Sequence, residues 1–130
     1  MRLLADTHIF VWCDQQPKAV PPVLMTALRN TQNQVFVSVA SIWEIAIKRA
    51  TGKLRFPAGI EAAIERMGFD LLPISAAHAE FAGGLPRHHN DPFDRMLIAQ
   101  AMLEDLTFGT RDRRISAYTV ATLGLRKERR

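Results

Sequence analysis

The sequence predicts an α/β domain built on a mainly parallel sheet. Two observations carry this. Short apolar runs with strand character alternate with longer segments whose apolar residues recur at helical spacing, and acidic residues follow directly after some of the runs, where α/β sheets place their sites. The length of 130 residues fits one compact unit. At 48% apolar residues the chain can build a real core, which excludes a disordered chain.

Arg2 to Asp6 reads as a short buried strand ending in an acid, and Thr7 to Cys13 as an apolar turn or short helix broken before Pro17. Pro21-Pro22 opens a helix to about Asn30, since proline is tolerated in the first turn. Val35 to Ser38 is β-branched and aromatic, a second strand. From Val39 the period becomes helical, with Val39, Ile42, Trp43, Ala46, Ile47 and Ala50 on one face and Gly52 as a stop. Pro57 to Met67 is a further amphipathic helix closed by Gly68, Asp70 to Ile74 a strand, and Ser75 to Ala82 a short helix capped by Ser75. Gly83 to Asn90 is a loop by composition. Asp91 then caps a helix running to about Glu104, with Pro92 as its first residue. Leu106 to Thr110 is a strand, Ile115 to Thr119 a helix or turn, and Val120 to Leu125 a last strand at the sheet edge. The expected division is one domain over 1–125 and a basic tail over 126–130.

No apolar run approaches the roughly 20 residues needed to cross a bilayer. An acid at Asp6 interrupts the stretch that a secretory signal would need, and Cys13, the lone cysteine, excludes a disulfide framework. A cytoplasmic protein with no membrane partner is expected. The net charge of +4 suits a polyanionic partner without identifying one, and much of it lies in the tail, Arg126-Lys127-Glu128-Arg129-Arg130.

Four acids invite a joint reading. Asp6 ends an apolar strand, and alone it reads equally as a helix cap. Glu44 precedes Lys48 by one helical turn, which suits a surface pair, yet it lies beside the apolar face. Asp94 sits in the first turn of a helix apolar on nearly every side, where a lone carboxylate needs a partner. Asp112 follows a strand among arginines and reads alone as an ion-paired turn acid. Gathered at one end of a sheet, four carboxylates repel, and hard divalent cations such as Mg²⁺ or Mn²⁺ offset that repulsion. His88-His89 are adjacent, which suits joint chelation poorly, and are expected to be solvated loop residues.

Asp6-Thr7-His8, the run Ser41 to Lys48, the run His88 to Ala101, and Thr110-Arg111-Asp112 resemble PIN-domain proteins, the closest resemblance being to VapC-type toxin ribonucleases of bacterial toxin–antitoxin pairs. The resemblance extends from about residue 2 to 123. It implies an α/β/α sandwich, an acidic pocket holding magnesium or manganese, and cleavage of RNA, usually transfer or ribosomal RNA. It also implies a homodimer and a cognate antitoxin that covers the acidic groove. Family ligand positions carry over onto Asp6, Glu44, Asp94 and Asp112. Thr7 and Thr110 fall where hydroxyls often support the ligands. Asp91 is read as the cap that orients the Asp94 helix. Gly109 departs from the larger apolar residues usual there and is expected to loosen the strand before Asp112; Arg113-Arg114 is a second departure.

The expected chemistry is metal-assisted phosphodiester hydrolysis, with Arg87, Arg95 and Arg111 as phosphate contacts. Two rivals fare worse. A phosphotransfer domain of the haloacid-dehalogenase type wants an acid where His8 stands, and a receiver domain wants a late lysine that is missing outside the tail. A catalytically silent module that binds RNA or protein would not need all four acids.

Overall fold

A computed structural model describes residues 1–57 and 59–125; the expected basic tail lies outside the described residues. The chain alternates strand and helix: β1 (Arg2–Ala5), α1 (Thr7–Gln15), α2 (Pro22–Arg29), β2 (Gln34–Ser38), α3 (Val39–Ala50), α4 (Ile60–Arg66), β3 (Asp70–Leu72), α5 (Ala76–Gly83), α6 (Pro92–Leu103), β4 (Thr107–Gly109) and β5 (Thr122–Leu123), with short 3-10 turns at Pro17–Ala19 and Arg113–Ala117. The strands form one sheet in the order β3-β2-β1-β4-β5, every pairing parallel.

Successive side chains of a strand point to opposite faces, so β1 feeds two cores. Leu3 and Ala5 pack with Ile9, Phe10, Leu24 and Ile64 under α1, α2 and α4, whereas Leu4 packs with Leu97, Ile98 and Phe108 under α6. The result is a three-layer α/β/α sandwich whose central strand is solvent-free from Leu3 to Ala5. A sheet covered on both faces explains why its strands read as continuous apolar runs rather than alternating ones.

The strand order reverses between β1 and β4: from β1 the chain steps outward through β2 and β3, then returns to the other side of β1 for β4 and β5. Connections leaving neighbouring strands in opposite directions open a crevice at the carboxyl ends, the usual seat of α/β sites. The ladder ends at Ala5 opposite Gly109, and Asp6 N–H donates to Gly109 O at 2.9 Å, fixing Asp6 immediately beyond the sheet.

Two expectations about packing are corrected. Helix α3 buries Ala40, Ser41, Glu44 and Ile45, while Trp43 is 63% and Ile47 41% exposed. Its inner face meets the crevice as well as the core, so it carries polar residues, and the apolar stripe read from the periodicity is rotated toward solvent. Gly109 does not loosen its strand. A Cβ there would stand 2.9 Å from Leu24 Cδ1, so glycine lets α2 press against β4.

Candidate functional site

Each of the four acids reaches the crevice from a different element. Asp6 follows β1 and occupies the N-cap position of α1, but its side chain makes no capping bond. It is 4% exposed; Oδ2 accepts from the Thr110 hydroxyl at 2.7 Å, and Oδ1 is buried with no partner among the described residues. Thr110 also accepts the Asp112 N–H at 3.0 Å, so one buried hydroxyl links the acid after β1 to the acid after β4. Thr7, expected to support the ligands, bonds Ser41 Oγ at 2.8 Å and so pins α1 to α3.

Ser38 caps α3, its Oγ accepting from Ala40 N–H at 3.0 Å, which starts the helix at the mouth of the sheet and brings Glu44 inward in its second turn. Glu44 is 5% exposed. Its Oε2 meets Lys48 Nζ at 2.9 Å, the pair the sequence suggested, while Oε1 is buried without a partner among the described residues.

Asp91 caps α6, accepting from Phe93 N–H at 2.8 Å and Asp94 N–H at 3.3 Å, with Pro92 preset for the first turn. That start points Asp94 into the crevice. Burial, and then the negative charges of Asp6, Asp91, Glu44 and Asp112, push the Asp94 carboxyl up to about 8. Burial likewise raises Asp6, opposed by the Thr110 bond and by His8, and reinforced by Glu44. Asp112 goes the other way: desolvation pushes it up, but bonds and charge from Arg114, with a bond from His89, together hold it below the usual value.

The histidine loop departs from the expectation of two solvated rings. His88 is exposed, but His89 is 5% exposed and its Nε2 lies 2.9 Å from Asp94 Oδ2 and 3.2 Å from Asp112 Oδ2. Ligand atoms of His89, Asp94 and Asp112 all lie within 4.8 Å of one another. From the sequence, adjacency makes the pair poor joint chelators and solvated loop residues. The missed signal was position: a ring two residues before a helix cap can bond the cap's own amide, as His89 Nδ1 does with Asp91 N–H at 3.1 Å.

The three arginines expected near phosphate separate. The Arg95 guanidinium donates to carbonyls of Pro86, Ala82 and Leu85 at 2.9 to 3.1 Å and of His89 at 3.3 Å, so it ties down the end of α5 and the loop. That commitment argues against a phosphate contact. Arg87 is exposed and lines a pocket of about 320 Å³ with His89 and Asn90. Arg111 donates to Ala19 O at 2.9 Å and lies 5.4 Å from the Trp12 ring, close to Asp112 in sequence and at the surface.

Carboxylate oxygens on Asp6 and Glu44 that lack a partner among the described residues, and an Asp94 whose charge its neighbours resist, are chemically suited to a hard divalent cation. The ligand atoms that come within reach of one shared ion among the described residues, however, are those of His89, Asp94 and Asp112.

The chain matches the PIN domain family over residues 3–121. Its fold is similar to that of the VapBC2 complex from Rickettsia felis bound to a promoter DNA fragment, with a TM-score of 0.68 at 14% identity, covering 95% of this chain and 98% of that one. A toxin–antitoxin complex from Klebsiella pneumoniae gives 0.57 at 20% identity, covering 93% and 95%. FitAcB from Neisseria gonorrhoeae gives 0.58 at 20%, covering 92% and 95%. At such identities the likeness shows the fold alone. No curated protein matches the chain significantly.

Proposed function

The chain belongs to the PIN domain family, and from that premise we propose that it is a toxin endoribonuclease, hydrolysing RNA phosphodiester bonds with Mg²⁺ or Mn²⁺ and silenced by a cognate antitoxin. The observation that carries the chemistry is the pair of buried carboxylate oxygens, Asp6 Oδ1 and Glu44 Oε1, that have no partner among the described residues. Leaving two such atoms bare in a folded interior is costly unless something binds them.

Asp6, Glu44 and Asp94 would hold the ion, with Asp112 completing the site. Bound there, a divalent cation supplies a water of lowered pKa and charge neutralisation at the departing oxygen. The chain's own contribution is placement. Thr110 fixes the Asp6 carboxylate, leaving Oδ1 free; Ser38 and Asp91 start the two helices that carry Glu44 and Asp94. Described residues include no hydroxyl poised beside a free histidine, so no side chain serves as nucleophile. Arg87 and Arg111 are the surface cations suited to RNA phosphates. Transfer or ribosomal RNA in the cytoplasm is the proposed target.

The toxin role draws support from the similar structures, which are toxin–antitoxin complexes in Klebsiella pneumoniae and VapBC2 in Rickettsia felis. A homodimer bound by an antitoxin whose tail covers the acidic crevice is the proposed resting assembly. Purified protein free of antitoxin should cut a mixed RNA pool with Mg²⁺ or Mn²⁺, and EDTA or Asp94→Ala should reduce cleavage by about 10³-fold, the scale of losing a charge-stabilising group. Metal-independent cleavage, or an active Asp94→Ala protein, would falsify the assignment. A folded parent that binds RNA without cutting it would make the chain a binding module.

A further inference from the structure

His89 is buried, and every polar atom it has is engaged. Its N–H donates to the Tyr118 hydroxyl at 2.9 Å, and that hydroxyl donates onward to Pro86 O at 2.7 Å. Its carbonyl accepts from Arg95 at 3.3 Å. Nδ1 accepts from Asp91 N–H at 3.1 Å, and Nε2 faces Asp94 Oδ2 at 2.9 Å and Asp112 Oδ2 at 3.2 Å.

These contacts decide what the ring can do. A nitrogen that accepts a backbone N–H carries no proton, so the ring's proton lies on Nε2. A protonated Nε2 has no lone pair in the ring plane and cannot ligate a metal. The short approach of Nε2 to two carboxylates therefore resembles a three-ligand cluster but is a forked hydrogen bond. It draws together acids from two elements, α6 and the turn after β4, using one oxygen of each.

We propose that His89 is a positioning residue rather than a metal ligand: its Nε2–H is a strut that holds Asp94 Oδ2 and Asp112 Oδ2 at a fixed spacing and leaves Asp94 Oδ1 to face the ion, while Asp112 Oδ1 is held by Arg114. The inference rests on the acids holding a divalent cation, and adds which residue sets their geometry. Donors behind ligands typically change metal affinity by about 10- to 100-fold when removed.

Two measurements test it. In metal-free protein carrying ¹⁵N-labelled imidazole, two-bond ¹⁵N–¹H spectra should show His89 with Nε2 protonated and Nδ1 bare. A proton on Nδ1, alone or with one on Nε2, overturns the proposal whatever the chain's function. Mn²⁺ binding by calorimetry should then be compared among parent, His89→Ala, His89→Gln and Asp94→Ala, each checked for folding by circular dichroism. Both His89 variants lose the acceptor for Asp91 N–H, so the difference between them isolates the donor that glutamine's amide retains. The expected result is about 10- to 100-fold weaker binding in His89→Ala, largely recovered in His89→Gln. Equal loss in both variants would trace the effect to the ring's bond with Asp91 or to ligation rather than to the Nε2–H donor, and unchanged or tighter binding in His89→Ala would mark it as a bystander or competitor; either overturns the strut. Identical Mn²⁺ binding by parent and Asp94→Ala sinks the metal reading itself, and the strut's purpose with it.

Discussion

Helix α6 carries polar groups at both ends, and the two ends follow opposite rules. Near its C-terminus His78 Nε2 meets Glu104 Oε1 at 2.8 Å while its Nδ1 accepts from Ser75 N–H at 3.0 Å, so both ring nitrogens are satisfied and α5 is tied to α6. At its N-terminus His89 repeats that arrangement, Nδ1 accepting from Asp91 N–H and Nε2 meeting Asp94 at 2.9 Å. Yet Asp94 still faces like charges from Asp6, Asp91, Glu44 and Asp112, and two neighbouring carboxylates keep an oxygen with no partner among the described residues. Gln100 Oε1 also lacks a partner among the described residues, but an amide oxygen carries no net charge and calls for no ion. Complementary pairing builds structure; repulsion that pairing relieves only in part, in a well-packed fold, marks a place suited to a further charge.

After the loss of cleavage in Asp94→Ala, the largest effect should come from the backbone that holds the open end. Gly124 has a φ of +106, and a Cβ there would stand 2.6 Å from Thr110 O and 3.1 Å from Leu24 Cδ2. Thr110 in turn positions Asp6 and Asp112. Gly124→Ala should cost roughly 3 kcal/mol, combining a strained backbone with overpacking. Gly68 shares a positive φ, +75, but opens on space, so Gly68→Ala should cost only about 1 kcal/mol. Urea denaturation of the two variants measures both. Equal costs would mean that the contact with Thr110 is not tight, and that the open end tolerates movement.

The next effect is a pH dependence that only the crowded end should produce. The Asp94 carboxyl is pushed up to about 8 from an ordinary value of 3.8, with Asp6 shifted in the same direction. Between those limits the folded, metal-free protein keeps a proton that the unfolded chain has released, so stability is lost as pH rises through the window. Asp112 is lowered and has the opposite sign, acting only at acidic pH. In EDTA, Tm should therefore fall from pH 5 to pH 8. Asp94→Asn should flatten that slope and gain about 1 to 3 kcal/mol at pH 8, a gain limited by the solvent that still reaches this carboxylate. Mn²⁺ should raise Tm more at pH 8 than at pH 5. A flat parent profile would show that the acids do not crowd one another.

What the sequence made legible follows the same division. The parallel sheet, the acid after β1 and the Asp91-Pro92 start of α6 are local signals: an apolar run, a cap, a preset proline. The four acids stand out in the sequence as candidates because carboxylates at strand ends and on buried helices are out of place locally. Other features depend on partners far along the chain. His89 is a loop residue until Asp112, Asp94 and Tyr118 close around it. Arg95 looked like a free cation beside the site, but the carbonyls that occupy it belong to α5 and the following loop. Periodicity misplaced the inner face of α3, because it weighs hydrophobicity and that face looks into a polar crevice, burying Ser41 and Glu44 while Trp43 stays outside.

The smallest effect tests the comparison from its other end. Glu104 is 42% exposed while its partner His78 is 3% exposed. Glu104→Gln keeps an acceptor oxygen for the Nε2 proton and removes only the charge. A pair with one partner in solvent gives up less than about 1 kcal/mol on such a change, and the capping box of Ser75 and His78 remains intact. The same acid-to-amide replacement at Asp94 removes a charge that its surroundings repel, so the two substitutions on one helix should move stability in opposite directions at pH 8. Parallel thermal melts of Glu104→Gln and Asp94→Asn in EDTA decide it. If both destabilise, the N-terminal end of α6 is a satisfied structural knot like the other, and the carboxylates there are held for the fold rather than for an ion.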